Sequence, residues 1–338
     1  MDTTKITAAM IDSAVSRGIK EMEEDPRRTI RKLTDLGWEF STGRFLPRLF
    51  EIFQTILKND DSPYYAMLES FLSHTDKDNL KKFGINMGYY SWTNKARLLR
   101  DNSEKVGHTI PWVIDFHVDI MPTESSIIAS DIVDFVSDAS PLGINTFSIF
   151  LEGDGVPDNS LLHMFNAFPE CAFFLFLGKA QITVAQQDML KKSGNVLILI
   201  NAENKDAVAT CNALNSSGNL YSIYYRYEDS DIVRLERRTF YDELSVFPST
   251  MLFLLRKDST VKNAGELIKN IRMEQKCPYF IWEFDYDKAA ISDILSEKEA
   301  PNIAVATDGT VYATDSILDV EFNIKKDNIN DIRSKYEI

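Results

Sequence analysis

The chain has 338 residues, a formal net charge of −14, and 44% hydrophobic and 11% aromatic residues. That length suits one large domain or two modest ones, and the apolar content excludes global disorder. The acidic balance excludes a general nucleic-acid binder, which needs a cationic surface to displace counterions.

The first hundred residues predict helices. Apolar residues recur at three- and four-residue spacing in ITAAMIDSAVSRGIKEM. DPRRTIRKLTDLG follows, with Asp25 as its cap, Pro26 at the first helical position and Gly37 as its stop. RFLPRLFEIFQTILKN continues the pattern, and SPYYAMLESFLSHT opens with Ser62 as cap and Pro63 in the first turn. DKDNLKKFGINMGYYSW and NKARLLRDNSEKVG complete a helical N-terminal region over residues 1–108. The aromatics of KKFGINMGYYSW are expected to cover the bottom or side of whatever follows.

The texture changes at TIPWVIDF. WVIDFHV, NTFSIFLEG, CAFFLFLG, NVLILIN, LYSIYYRY and STMLFLLRK read as strands. Each is followed by a helical pattern, from SSIIASDIVDFVSDA to VKNAGELIKNIRMEQ. Six strand–helix units with near-continuous apolar strands predict a parallel sheet covered by helices. The expected form is an α/β fold, a partial (β/α)6 TIM-like barrel over residues 109–275, with a doubly wound open sheet as the alternative. Nucleotide-binding and hydrolase versions of the open sheet gain no support, because G-x-G-x-x-G, G-x-x-x-x-G-K-[ST] and G-x-S-x-G are all absent. Residues 276–338 read as a short β-containing extension. CPYFIWEFDYD and PNIAVATDGTVYATDS are taken as strands, Asp308-Gly309 as a hairpin turn, and NIKKDNINDIRSKYEI as a closing helix.

Cys171, Cys211 and Cys277 lie far apart, and no C-x-x-C spacing supports a zinc or redox site. The N-terminus lacks an apolar signal core, and no stretch approaches the roughly 20 apolar residues of a membrane span. A cytoplasmic protein with mostly buried thiols and no membrane partner is expected.

Several stretches resemble the radical S-adenosylmethionine superfamily, especially one group of its bacterial members. KKFGINMGYYSWTNKARLLRDNSEKVGHTIPWVIDF resembles the lead into the first barrel strand. INTFSIFLEGDGVP stands at the second strand and its Gly-Gly-Glu-Pro motif, FPECAFFLFLGKAQIT at the third strand, and SGNVLILINAEN at the fourth. NIAVATDGTVYATDS with NIKKDNINDI resembles the C-terminal hairpin and final helix. The resemblance implies the barrel architecture. Members of the family carry C-x-x-x-C-x-x-C after the first strand, and three thiolates there hold a four-iron cluster that binds the cofactor. Here that loop reads IMPTESSI, short and without cysteine, and the glycine motif has become Glu152-Gly153-Asp154-Gly155. The resemblance therefore implies the architecture without the radical chemistry. No cofactor is expected, beyond weak S-adenosylmethionine binding at Glu152, Gly153 and Asp154.

The residues carry their own reading. Side chains two apart on a strand share a face, about 6.8 Å apart at about 3.4 Å rise per residue. Asp115, His117 and Asp119 therefore share one, and Trp112, Ile114, Phe116 and Val118 share the other. In a helix-covered barrel the apolar face meets the helices, so the acid–imidazole–acid row points inward and climbs to the C-terminal mouth. The same parity adds Ser148 and Glu152, then Ser222, Tyr224 and Arg226, then Leu252, Leu254 and Arg256. Lys179 follows the third strand and Asn201 ends the fourth. This predicts a polar, mixed-charge mouth above an apolar floor. Two explanations stand beside each other: an ion-pair network joining Asp115 to Arg226 or Arg256 that holds strands in register, and a binding or acid–base site around His117. A metal site is not expected, since His74, His108 and His163 lie in helical or entry segments. The sequence thus points to a non-catalytic relative that binds a small molecule, a peptide or a protein partner. Its alternatives are a cluster-independent enzyme using the mouth around Asp115, His117 and Glu152, and a scaffold docking through the N-terminal helices.

Overall fold

The computed structural model describes residues 3–22, 24–40, 46–107, 109–249, 251–258, 260–275, 277–296, 302–313 and 322–327. Helices come first: α1 (Thr3–Glu21), α2 (Pro26–Phe40), α3 (Leu46–Leu57), α4 (Pro63–His74) and α5 (Lys77–Ile85). A π-helical stretch, Asn86–Lys95, joins α5 to α6 (Ala96–Val106). The alternating part runs β1 (Val113–Asp119), α7 (Ala129–Ala139), β2 (Thr146–Glu152), β3 (Asp154–Gly155), α8 (Asn159–Ala167), β4 (Ala172–Phe176), β5 (Lys179–Ala180) and α9 (Val184–Ser193). It continues with β6 (Val196–Asn201), α10 (Ala207–Ser217), β7 (Tyr221–Tyr227), α11 (Ile232–Leu235), α12 (Arg238–Glu243), β8 (Met251–Arg256) and α13 (Gly265–Glu274). The last elements are β9 (Phe280–Glu283), α14 (Phe284–Ser296), β10 (Ile303–Val305), β11 (Thr310–Ala313) and β12 (Phe322–Asn323).

Ten strands form one sheet in the order β12-β11-β10-β1-β2-β4-β6-β7-β8-β9. From β10 to β9 every neighbour is parallel, and β11 and β12 are antiparallel. The six expected strand–helix units are all present. The sheet does not close: β12 and β9 are its edges among the described residues. The expected barrel is thus replaced by a mostly parallel open sheet, because the tail adds strands at both ends instead of letting β1 meet β8.

That tail corrects the sequence reading in a second way. Only Phe280–Glu283 of the expected strand CPYFIWEFDYD is extended, and the chain turns directly into α14. The hairpin at Asp308-Gly309 forms as expected, with the Ala306 amide donating to the Thr310 carbonyl at 2.8 Å. The expected final helix lies mostly outside the described residues. Near the first strand, α7 begins at Ala129 rather than at Ser125, so residues 120–128 form the connection.

The core sits on both sheet faces. All of AFFLF in β4 and the first five residues of VLILIN in β6 are buried. On one face Phe116 meets Phe135 of α7 and Phe173 meets Phe165 of α8. The other face is covered by two elements. The π-helical stretch lies across the N-terminal strand ends, where the Ser91 and Thr146 hydroxyls meet at 2.8 Å and the Asn86 amide donates to the Pro169 and Cys171 carbonyls. Trp92 packs edge-on to Trp112, and Phe83 to Phe174. The expectation that KKFGINMGYYSW covers the bottom is met by these contacts. Helix α14 then inserts Phe284 among Phe150, Phe174, Phe176 and Phe253. The outer helices reach the sheet edge at β9, where Phe53 and Tyr64 pack on Phe280 and Gln275 donates to the Ile56 carbonyl. Among the described residues, no helix is long and apolar enough to cross a membrane.

Candidate functional site

Strand register decides which side chains meet. In a parallel pair, partners in register stand on one face. Asp115 aligns with Ser148, His117 with Phe150 and Asp119 with Glu152. Phe150 aligns with Phe176, and Asn201 with Tyr224. Arg226 is two residues beyond Tyr224, so it shares that face. The row Asp115, His117 and Asp119 therefore lies on the face that carries Phe284, as expected from the alternation in WVIDFHVDIM.

The register also corrects one expectation. Arg226 aligns with Leu255, and Arg256 aligns with Tyr227. Leu252, Leu254 and Arg256 thus sit on the face opposite Arg226, because β8 is offset by one residue from the parity assumed. Arg256 reaches Asp285 at the start of α14 instead, with both Nε and a terminal nitrogen at 3.0 Å.

At the C-terminal end of β1 and β2, His117 Nδ1 and Glu152 Oε1 are 2.8 Å apart. Their side chains remain 28% and 38% exposed, so the pair is open to solvent. The imidazole stacks on Phe150, with ring centroids 5.0 Å apart. Phe150 in turn stacks on Phe176 at 4.2 Å. The hydrogen bond from His117 holds the Glu152 carboxyl below its ordinary range. Burial opposes that shift, and the charges of His117 and Arg226 add to it. With Nδ1 engaged by a carboxylate, Nε2 is the ring atom left to meet a ligand.

Asp115 and Asp119 do different work from His117. Asp115 is buried and bonds Lys288 of α14. Lys288 also reaches Asp285 at 3.6 Å, and Asp285 bonds Arg256. A chain of four charges therefore crosses from β1 to β8. Burial lowers the Lys288 ammonium, but the Asp115 and Asp285 carboxylates override it and the net shift is upward. The expected partner of Asp115 was Arg226 or Arg256; the observed partner is Lys288, from a helix read as strand. Asp119 accepts a hydrogen bond from the Ser126 hydroxyl at 2.7 Å and braces the 120–128 connection.

The remaining candidates surround the pair. Gly153 adopts φ 95°, and Asp154 and Lys179 belong to a two-stranded parallel ribbon, β3 with β5, where both are exposed. The ribbon is possible because Gly178 has φ 57° and lies so close to β2 that a Cβ would stand 2.5 Å from the Leu151 carbonyl oxygen. Asn201 caps the following turn by accepting from the Glu203 amide at 3.0 Å. Arg226 is half-buried and close enough to act on Glu152. Two groups escaped the sequence reading. Lys288 was hidden by the missed helix. Tyr312 of β11 aligns with Ala304, and Ala304 with Asp115, so Tyr312 joins the same face. Burial raises the Tyr312 phenol, and the Asp115 and Glu152 charges raise it further. The alternation of Thr310 and Tyr312 with Val311 and Ala313 was the signal that could have revealed it.

The donor set at this mouth contains no thiol, since residues 120–128 read IMPTESSII. Cys171 precedes β4, Cys211 lies in α10 and Cys277 precedes β9; all three are buried and free. Burial pushes their thiols up, to about 11 for Cys171 and about 12 for Cys211 and Cys277. Thiols so placed are poor metal ligands. These residues do not fit an iron–sulfur cluster at the strand ends. Among the described residues, no group of three His, Cys, Asp or Glu side chains is arranged to hold a metal ion.

No family model matches the chain. No curated protein matches it either. The chain is similar to solved structures of Streptococcus suis SuiB. With SuiB bound to S-adenosylmethionine the identity is 12% and the TM-score 0.46, covering 72% of this chain and 68% of that one. With SuiB bound to precursor peptide SuiA the identity is 11% and the TM-score 0.46, covering 72% and 69%.

Proposed function

We propose that the chain is a non-catalytic, radical-S-adenosylmethionine-like protein that binds a small polar molecule or a peptide at the C-terminal ends of β1 and β2. The observation that carries this reading is the solvent-open His117–Glu152 pair beside Arg226, in a mouth whose connecting loop has no thiol. A carboxylate-oriented imidazole, a guanidinium and the exposed Lys179 offer donors to an anionic or carbonyl group, and Phe150 gives an apolar floor. Buried, high-pKa thiols far from the mouth support a cluster-free protein.

Anaerobic reconstitution with ferrous iron and sulfide tests the reading. The expected outcome is no cysteine-dependent absorbance near the visible range. A stoichiometric cluster lost on replacing Cys171, Cys211 or Cys277 would overturn it. One observation favours a second reading, cluster-independent catalysis: the His117–Glu152 pair has the geometry by which a carboxylate orients a general base. Under that reading His117→Ala abolishes a turnover while the urea midpoint stays put; under the binding reading no turnover exists to lose.

A further inference from the structure

A separate empty space lies at the other end of the strands, beneath Phe284. It has two chambers that share Phe50, Gly84, Met251 and Trp282 in their walls. The inner chamber, about 270 Å³, lies between the sheet, the π-helical stretch and α14, and touches Val113, Phe174 and Leu197. The outer chamber, about 450 Å³, lies among α1 to α5 and touches Leu33, Ile56 and Leu72. His117 and Glu152 line neither chamber.

The wall holds glycine where a helix does not favour it. Gly84 and Gly88 stand four residues apart across the junction of α5 and the π-helical stretch, and so share a side. A Cβ added at either would meet nothing within 4 Å. The other helical glycines differ. A Cβ at Gly18 would strike the Leu33 side chain at 2.6 Å, and one at Gly37 would strike Phe50 at 2.2 Å. Packing within the chain accounts for Gly18 and Gly37; it does not account for Gly84 and Gly88. Glycine inside a helix gives up backbone entropy without adding a contact. A π-helical stretch at the same place is itself a feature that gathers at functional sites. The two bare positions widen a space that none of the described residues fills.

The chemistry of the lining selects the occupant. Lys288 has its ammonium engaged by Asp115 and Asp285, and the rest of the inner lining is apolar or glycine. Lys81 is the charged residue of the outer lining. Volumes of this size are those of small-molecule sites, and enclosed apolar space stays dry and takes apolar guests. Two chambers joined side by side fit a long, thin molecule better than a globular one. We propose that this space binds a single-chain fatty acyl compound, with its tail against Gly84 and Gly88 and its polar end beside Lys81. The site is independent of the mouth and of the function proposed for it.

Titration of the full chain with cis-parinaric acid, a fluorescent fatty acid, tests the proposal. The expected result is saturable binding of one molecule per chain. Gly84→Leu and Gly88→Leu, each filling the space, should weaken it at least tenfold, and His117→Ala should leave it unchanged. Gly84→Ala and Gly88→Ala keep the test sound if a leucine variant does not fold: each should weaken binding at least threefold while raising the melting temperature. Absence of saturable binding would overturn the proposal. So would folded glycine variants that bind as tightly as the natural chain, or loss of binding in His117→Ala alone.

Discussion

Glu283 offers a stability test with a calculable size. It ends β9 and is fully buried. Its Oε1 accepts from the Tyr227 hydroxyl at 2.6 Å, and its Oε2 accepts from the Tyr286 amide at 2.6 Å. Burial pushes the carboxyl up from 4.5 to about 7, although both hydrogen bonds pull it down; the Asp285 charge adds to the rise and Arg256 opposes it. Between those two values the native protein keeps a proton that the unfolded chain releases. Unfolding is then favoured by rising pH, and stability present below pH 4.5 is lost as pH climbs through about 7. At about 1.36 kcal/mol per pH unit, that window is worth about 3 kcal/mol. Glu283→Gln removes the titration and keeps an oxygen for the Tyr286 amide. Urea unfolding of both proteins between pH 5 and pH 8 should show the natural chain losing most of that amount relative to the variant. The difference between the two profiles cancels other groups that titrate on unfolding, including Asp287, whose carboxyl is also raised by burial. Profiles that stay parallel across the window would refute the reasoning.

Three further outcomes follow from packing and charge. Lys288→Met leaves Asp115 buried without its cation and should lower unfolding free energy by about 3–5 kcal/mol in urea melts; adding Asp115→Asn should recover much of it. Gly178→Ala forces a Cβ against the Leu151 carbonyl at a left-handed backbone angle and should destabilise by about 1–3 kcal/mol, read as a drop in urea midpoint. Thr183 accepts from the Gln186 amide while the Gln186 side chain accepts from the Thr183 amide, so Thr183→Ala should cost about 1 kcal/mol by the same assay.

The strand–helix alternation was legible because its strands are buried on both faces and its helices on one. AFFLF and VLILIN can be little else than inner strands between capped helices. The shared face of Asp115, His117 and Asp119 was legible for the same reason, since a period of two needs no tertiary information. Sheet closure was not. It depends on which strands pair at the ends, and the short runs FIWE and IAV carry no sign of the neighbours they choose. The face of Arg256 was misread because a one-residue offset between β7 and β8 inverts every side chain. Helix α14 was missed because its first residues, FDYD, continue the aromatic alternation of FIWE, and its helical pattern only emerges from Lys288 onward.

Those missed elements give the two faces of the molecule their separate character. Phe284 and Lys288 leave α14 four residues apart, on one side of the helix. Phe284 fills the middle of the sheet against Phe150 and Phe176, and Lys288 ties that plug to β1 through Asp115. Above the plug the face ends in His117, Glu152 and Arg226, with partly exposed polar groups. Below it the same face is apolar and opens into space walled by Gly84 and Gly88. An open sheet can hold two such unlike environments on one surface only if something solid stands between them. The buried ion pair is therefore more than a brace for β1: by fixing Phe284 it keeps water from the mouth out of the apolar chambers, so Lys288→Met should disturb the lower space without touching a residue of the upper pair.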